Sequence, residues 1–242
     1  MLGKLIKYDF KAMAKMMVPV YIAMIILTAV TTLLTKLRAE GTVVFGIFLT
    51  LFITVISGSA FVTLVACVKR FVDGLLKNEG YLSFALPVKT STHILAKVIN
   101  ALIWCVFEVI VLGICFFVML MTLGGIREFA QFFVEVMARL DVEAVWFLVK
   151  TLALMMLELA AFICLIFTAY SVSHLFGKHS TAVATIFVVM ILVLRGFFTP
   201  SRWLRNFDLF HMEWFWYVIP ILTMSLYNLL TWFILDRRLN LE

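Results

Sequence analysis

Three ionisable residues stand in or beside otherwise apolar segments: Glu108, Glu158 and Arg195. A charge at the centre of a bilayer costs roughly 2.5–3.5 kcal/mol on insertion scales, so such groups normally face the protein interior and have a partner. The three residues would therefore form a buried ionic set, which is the favoured interpretation. They would alternatively line a substrate path or couple proton movement to transport. Asn100 and Asn228 are predicted to hydrogen-bond between helices.

Motifs for nucleotide binding and for hydrolysis do not occur in the sequence. It contains no GxxxxGK[ST] phosphate-binding loop, no HExxH and no GxSxG. The cysteines have no CxxC spacing, which favours packing roles over a zinc site or a disulfide framework. They are Cys67, Cys105, Cys115 and Cys164. We therefore predict a chain that is not itself an enzyme and that binds no metal.

The composition indicates a membrane protein. Hydrophobic residues make up 64% of the 242 residues and charged residues 14%, with a mean hydropathy of +1.12. Soluble domains are far more polar. We predict an all-α polytopic membrane protein, a single transmembrane domain over 1–242, since a helix of roughly 20 residues crosses a bilayer. Its six transmembrane helices are predicted over 16–35, 42–68, 94–123, 146–173, 180–198 and 214–235.

The positive charges indicate orientation rather than nucleic-acid binding. The formal net charge is +6, but the lysines and arginines lie in short loops, where contact with anionic lipid explains them better. Most of them fall on one side if the N-terminus is inside. We therefore expect both termini to be cytoplasmic.

The first 15 residues have the pattern of an amphipathic helix at the membrane surface. The lysines recur at helical spacing, opposite a stripe of Leu, Ile, Phe and Met side chains. They are Lys4, Lys7, Lys11 and Lys15. The alternative is that the lysines are only positive charges that keep the N-terminus inside. The regular apolar stripe makes this the weaker interpretation.

A long polar segment, 69–92, separates the second and third predicted helices. It carries lysines and arginines, so it should stay on the cytoplasmic side. Phe71, Leu75 and Tyr81 lie among these charges, which is more apolar and aromatic surface than a connector needs. The segment would either dock a cytosolic partner or fold back on its own helices, and its composition favours neither.

Two further segments are predicted on the outer side. Residues 126–143 have the pattern of an amphipathic helix, with phenylalanines on one face and charged residues on the other. Such a helix would lie on the membrane surface or cap the transmembrane helices. Residues 197–217 are rich in Trp and Phe, as in an aromatic belt that includes a re-entrant part.

Two stretches resemble a known family. The opening MLGKLIKYDFKA and the central NEGYLSFALPVKTSTHILAK, within a frame of six predicted helices, are similar to permease subunits of ABC-2 type (type V) ATP-binding-cassette exporters. The nearest likeness is to small Gram-positive permeases that export antimicrobial or amphipathic toxin peptides, such as exporters of phenol-soluble modulins.

The resemblance implies a partner and a location. In this family, two permease subunits, here a homodimer, assemble with two cytosolic ATPase subunits that bind Mg-ATP, in the bacterial plasma membrane. The segment between helices 5 and 6 would be an outer re-entrant hairpin, over 197–213. The segment 69–92 would hold the coupling helix that contacts the ATPase. The matching positions are Phe71, Asp73, Leu75, Asn78, Glu79 and Tyr81.

The function expected from this resemblance is ATP-driven export of an amphipathic or hydrophobic peptide. Two alternatives come from other classes. One is a proton-coupled secondary transporter that uses Glu108 and Glu158. The other is a membrane anchor that recruits cytosolic proteins without transporting anything.

Overall fold

A computed structural model describes residues 2–37, 42–76, 88–123, 131, 134–135, 141–198 and 215–237, without the side chains at 123, 177–180, 194–198, 215 and 237. Within these ranges the chain is helical and has no strand. The long α-helices are α1 (Leu2–Lys36), α2 (Val43–Phe71), α3 (Thr90–Leu123), α4 (Val142–Ser173), α5 (Ser180–Phe198) and α6 (Phe215–Arg237). A π-helical turn, Val72–Leu76, extends α2, and a 3-10 helix, His174–His179, joins α4 to α5.

Five of these helices, α1, α2, α3, α4 and α6, are long and apolar enough to cross a membrane. The chain is thus an all-α, multi-pass membrane protein, as the composition predicts. The fifth helix is shorter: its apolar part, Thr181–Val193, is below the length of a full span. The sixth predicted crossing therefore stays a prediction.

The N-terminal amphipathic segment and the first predicted span form one continuous helix, α1. Pro19 lies inside it, although proline cannot donate the backbone hydrogen bond to the preceding turn. The amphipathic pattern is visible in the burial, since Met13 and Met17 are buried while all four lysines of 1–15 are exposed. No break separates residues 1–15 from 16–35, and the division into a surface helix and a first span stays a prediction.

The segment 69–92 is partly helical. α2 continues to Phe71, beyond the predicted end at residue 68, and the π-turn extends it to Leu76. α3 begins at Thr90, four residues before the predicted start, with the Thr92 amide donating to the Lys89 carbonyl at 2.9 Å. Hydropathy reports only the part of a helix that faces lipid, so it misses turns that continue into the polar region.

The chain divides into two compact units. One comprises Tyr8–Cys67 and Ile103–Leu148, that is, most of α1 and α2 with the later part of α3. Its buried core contains Met24, Phe52, Cys115 and Met119, one or two side chains from each helix. Thr28, Thr31 and Thr35 are also buried on α1, and each hydroxyl donates to a carbonyl one turn earlier. These hydroxyls therefore need no partner on another helix.

The other unit comprises Met1–Lys7, Val68–Leu102 and Val149–Glu242. Its centre is the second half of α4, where residues between Ala160 and Ser173 are buried around the whole helix. Thr168 joins α4 to α6: its hydroxyl lies 3.0 Å from the Thr231 hydroxyl and 3.0 Å from the Tyr227 carbonyl. Nearer the start of α4, the Tyr217 hydroxyl donates to the Lys150 carbonyl at 3.0 Å.

Candidate functional site

The strongest candidate site is the carboxyl group of Glu108, which is 4% exposed on α3. Two hydroxyls of α2 donate to it. Ser59 Oγ lies 2.6 Å from Oε1 and Thr63 Oγ1 lies 2.9 Å from Oε2, so each carboxyl oxygen has its own donor. Ser59 and Thr63 are four residues apart and therefore share one face of α2. Both are almost completely buried.

Helix α1 completes the surroundings of this carboxyl group. The Tyr21 hydroxyl lies close to Glu108, although it makes no hydrogen bond of good geometry. Met17, which is fully buried, places its sulfur 3.5 Å from Thr63 Oγ1. We use "the Glu108 cluster" for Glu108, Ser59, Thr63, Tyr21 and Met17. Three helices thus meet at one acidic group.

The chemistry of this cluster is that of a proton or hydrogen-bond site. Hydroxyl groups can donate to a carboxylate, and they can also turn to accept from a carboxylic acid. The cluster can therefore satisfy Glu108 in either protonation state without a cation. Among the residues that the structure describes, hydroxyls rather than cations hydrogen-bond to the carboxyl oxygens.

A second site lies at the end of α2, in the other unit. Phe71 is completely buried, and its ring stacks on Phe167 of α4 with centroids 4.1 Å apart and planes 7° from parallel. Leu75, one turn later, is also completely buried. Offset or stacked aromatic pairs contribute about 0.5–1.5 kcal/mol beyond their buried area. The start of the polar segment 69–92 is therefore fixed to α4.

Lys97 of α3 lies against the same turn. Its side chain is only 8% exposed, and a Cβ added at Gly74 would come within 2.7 Å of its Nζ. Glycine at position 74 thus leaves the space that the ammonium group occupies. π-helical turns are often found at functional sites. We use "the π-turn site" for Val72–Leu76 with Phe71 and Lys97.

The predicted ATPase contacts divide into three groups. Phe71 and Leu75 face the interior of their unit, so in this structure they anchor the segment rather than present a surface to a partner. Asp73 is half-buried in the π-turn. Asn78, Glu79 and Tyr81 lie outside the described residues, and their role stays a prediction.

The other predicted polar residues all lie in the unit that contains the second half of α4. Glu158 is half-buried on α4, and the side chain of Arg195 on α5 is not among those described, so the predicted ionic set stays a prediction. Asn100 is 1% exposed on α3. Asn228 of α6 donates to Cys164 Sγ of α4 at 3.4 Å.

Most of the two predicted outer segments lies outside the described residues. Of 126–143, the structure describes residues 131, 134–135 and 141–143, the last two of which begin α4. Of the predicted re-entrant hairpin 197–213, it describes only the backbone of residues 197–198, the last two of α5. Their roles stay predictions.

Several residues of these sites were missed in the sequence. Ser59 and Thr63 were not predicted as partners of Glu108, although two hydroxyls at i and i+4 on an apolar helix form a polar stripe that must face a partner. Lys97 was not predicted to be buried, yet it is only 8% exposed in α3. Asp9 is a further buried acid, 6% exposed among the lysines of α1. Only helix periodicity around position 9 could have indicated this burial.

Comparisons with protein-family models, with curated proteins and with solved structures found no match for this chain.

Proposed function

We propose that this chain is the membrane-spanning permease subunit of an ATP-driven exporter of the ABC-2 type, working with a separate ATPase subunit. Its cargo would be an amphipathic or hydrophobic peptide, and a second permease subunit would complete the membrane part. The proposal rests on the resemblance of the opening and central stretches and on the lack of a phosphate-binding loop in the sequence.

One structural observation supports it most directly: the π-turn site ties the start of segment 69–92 to the helix bundle. An ATPase that moved a cytoplasmic segment would do mechanical work on the bundle only if the segment were held firmly. The buried side chains of Phe71 and Leu75 and the stacked Phe167 ring provide that hold. Side chains further along, at Asn78, Glu79 and Tyr81, would then make the contact with the ATPase.

The test is co-expression with an ATPase that carries a phosphate-binding loop and is encoded beside this chain. We expect the two proteins to purify together, and Glu79→Lys with Tyr81→Ala to weaken the complex. Glu143→Lys is the matched control, because Glu143 is an exposed acid in the first turn of α4, on the predicted outer side. Phe71 and Leu75 are avoided since polar changes there would disturb the core.

Two results would count against the proposal. One is an unchanged complex and unchanged ATPase stimulation in the Glu79/Tyr81 variant. The other is transport of an amphipathic helical peptide into vesicles by the purified chain alone, driven only by an ion gradient.

The Glu108 cluster favours a second candidate function, a proton-coupled carrier. A buried carboxyl group that can be satisfied with or without its proton is suited to pick up and release a proton. In this case Glu108→Gln should abolish transport that a pH gradient drives, while Thr50→Val on the exposed face of α2 should not. Dependence on an ATPase would instead favour the exporter.

A further inference from the structure

An open cleft lies between the start of α3 and the end of α6, within one unit of the chain. Its volume is about 640 Å³, in the range of sites that hold drug-sized ligands. The walls include Lys89, Thr90 and Ser91 on one side and Asn228, Trp232 and Asp236 on the other. The Thr90 hydroxyl lies 3.4 Å from Asp236 Oδ1, which brings the two helix ends together.

A second cavity of about 300 Å³ continues the cleft along the two helices. It shares Ser91, Asn228 and Trp232 with the first and adds the apolar side chains of Ile94 and Leu95. Leu229 lines the larger cavity and is 61% exposed. The combined cleft thus has charged groups at the helix ends and apolar walls further into the membrane.

The two charges at the polar end have opposite signs. Lys89 and Asp236 are both exposed and line the same cavity. A simple anion would meet the carboxylate of Asp236, and a simple cation would meet the ammonium of Lys89. A ligand that carries a phosphate and a primary ammonium next to each other complements both, and its acyl chains complement the apolar end.

We propose that this cleft binds a phospholipid with a zwitterionic, primary-ammonium headgroup, as in phosphatidylethanolamine. The phosphate would lie near Lys89 and Ser91, the ammonium group would donate to Asp236, and an acyl chain would run along Leu95 and Trp232. Basic pockets between transmembrane helices are known to bind the phosphate groups of lipids. The inference requires only that α3 and α6 cross the membrane, so it does not rest on the proposed function.

Trp232 provides the readout, because it lines both cavities and is 38% exposed. The full chain is placed in phosphatidylcholine vesicles that contain increasing fractions of phosphatidylethanolamine with brominated acyl chains, which quench tryptophan fluorescence on contact. The chain has six tryptophans, so the Trp232 component is taken as the difference between the wild type and Trp232→Phe. Phosphatidylglycerol with the same brominated chains is the comparison lipid.

We expect the Trp232 component to be half-quenched at a fraction of phosphatidylethanolamine about two- to fivefold lower than of phosphatidylglycerol, the range for exposed charge pairs. Asp236→Asn should remove this preference by removing the partner of the ammonium group. Lys89→Gln should weaken quenching by both lipids. The matched controls, Asp141→Asn and Lys69→Gln, change exposed charges that do not line the cleft and should change neither value.

Three outcomes would overturn the proposal. Equal quenching by the two lipids, unaffected by Asp236→Asn, would mean ordinary boundary lipid only. A preference for phosphatidylglycerol would mean an anion site. Absence of quenching of Trp232 by either lipid would mean that another part of the protein, or a peptide, covers the cleft. A variant that elutes as an aggregate is replaced by Asp236→Ser, which removes the same charge.

Discussion

At the scale of single residues, Glu108 shows how an acid is accommodated in an apolar helix. From the sequence, we predict that Glu108 has a charged partner within a set that includes Glu158 and Arg195. Its described hydrogen bonds come from Ser59 and Thr63, two ordinary hydroxyls on α2, and the ionic set with Glu158 and Arg195 stays a prediction. An acid is visible in a sequence because it is rare in a membrane helix, whereas serine and threonine are common there and mostly bond to their own backbone.

The first prediction concerns the hydrogen bond between Thr63 and Glu108. In a double-mutant cycle of Thr63→Val and Glu108→Met, we expect a coupling free energy of about 0.6–1.7 kcal/mol, the range for hydrogen bonds between membrane helices. The measurement is the free energy of unfolding in mixed detergent micelles. Thr50→Val is the control, because its hydroxyl donates to the Gly46 carbonyl of the same helix at 2.8 Å. Equal coupling for both threonines would contradict the assigned contact.

The second prediction concerns Gly74. In Gly74→Ala the new methyl group would meet Lys97 Nζ at 2.7 Å, so the end of this buried lysine side chain would have to shift. We expect a loss of about 1 kcal/mol in the free energy of unfolding, and a smaller loss in the Lys97→Ala background, because contacting residues act non-additively.

The control for this prediction is Gly113→Ala on α3, where an added Cβ meets no atom within 4 Å. Alanine is the better helix former by up to about 1 kcal/mol, so this change should be neutral or stabilising. If Gly74→Ala behaved like Gly113→Ala, Lys97 would not occupy the space described.

At the scale of elements, the packing of α2 on α3 can be tested through two cysteines. The Cys67 and Cys105 thiols lie close enough to interact, and neither is in a disulfide. We expect a membrane-permeant oxidant such as diamide to join them in a disulfide, which mass spectrometry of peptides would detect. Cys67→Ser should abolish this product. If the folded protein formed no such disulfide, this result would contradict the packing of these two helices.

The helices themselves were largely predictable, and their ends were not. Long apolar runs identify five helices because a bilayer demands about 20 apolar residues in each. The extension of α2 through Phe71 to Leu76 was not predicted, since the lysine, arginine and aspartate in this stretch are typical of a loop. The same stretch has an apolar face that includes Phe71, and this face is buried by packing against Phe167 of α4. Tertiary contact, rather than local composition, extends the helix.

At the scale of the whole molecule, the orientation in the membrane is the next quantity to test. With the N-terminus inside, the start of α1 is cytoplasmic and the start of α4 is outside. In intact cells we expect a membrane-impermeant maleimide to label Glu143→Cys, and to label Lys11→Cys only after the membrane is opened. Both positions are exposed, and the four native cysteines are buried. The reverse pattern would contradict the orientation.

The fold class of the molecule follows from composition alone, but its arrangement does not. Hydropathy distinguishes lipid-facing from water-facing segments and says little about which helices touch. The unit boundaries fall within α1, α2, α3 and α4, so each of these helices contributes residues to both units. Such sharing depends on side-chain shape at contacts such as Phe52 with Met24, which no periodicity reports.

The length of α2 has a mechanical consequence. Its 29 residues form a rod of about 44 Å, longer than the roughly 30 Å hydrocarbon layer that it crosses. Because the helix is this long, tilting it by about 5° displaces one end by about 4 Å relative to the other. A small displacement of the end that extends beyond the hydrocarbon layer would therefore move the other end sideways at the opposite face of the membrane.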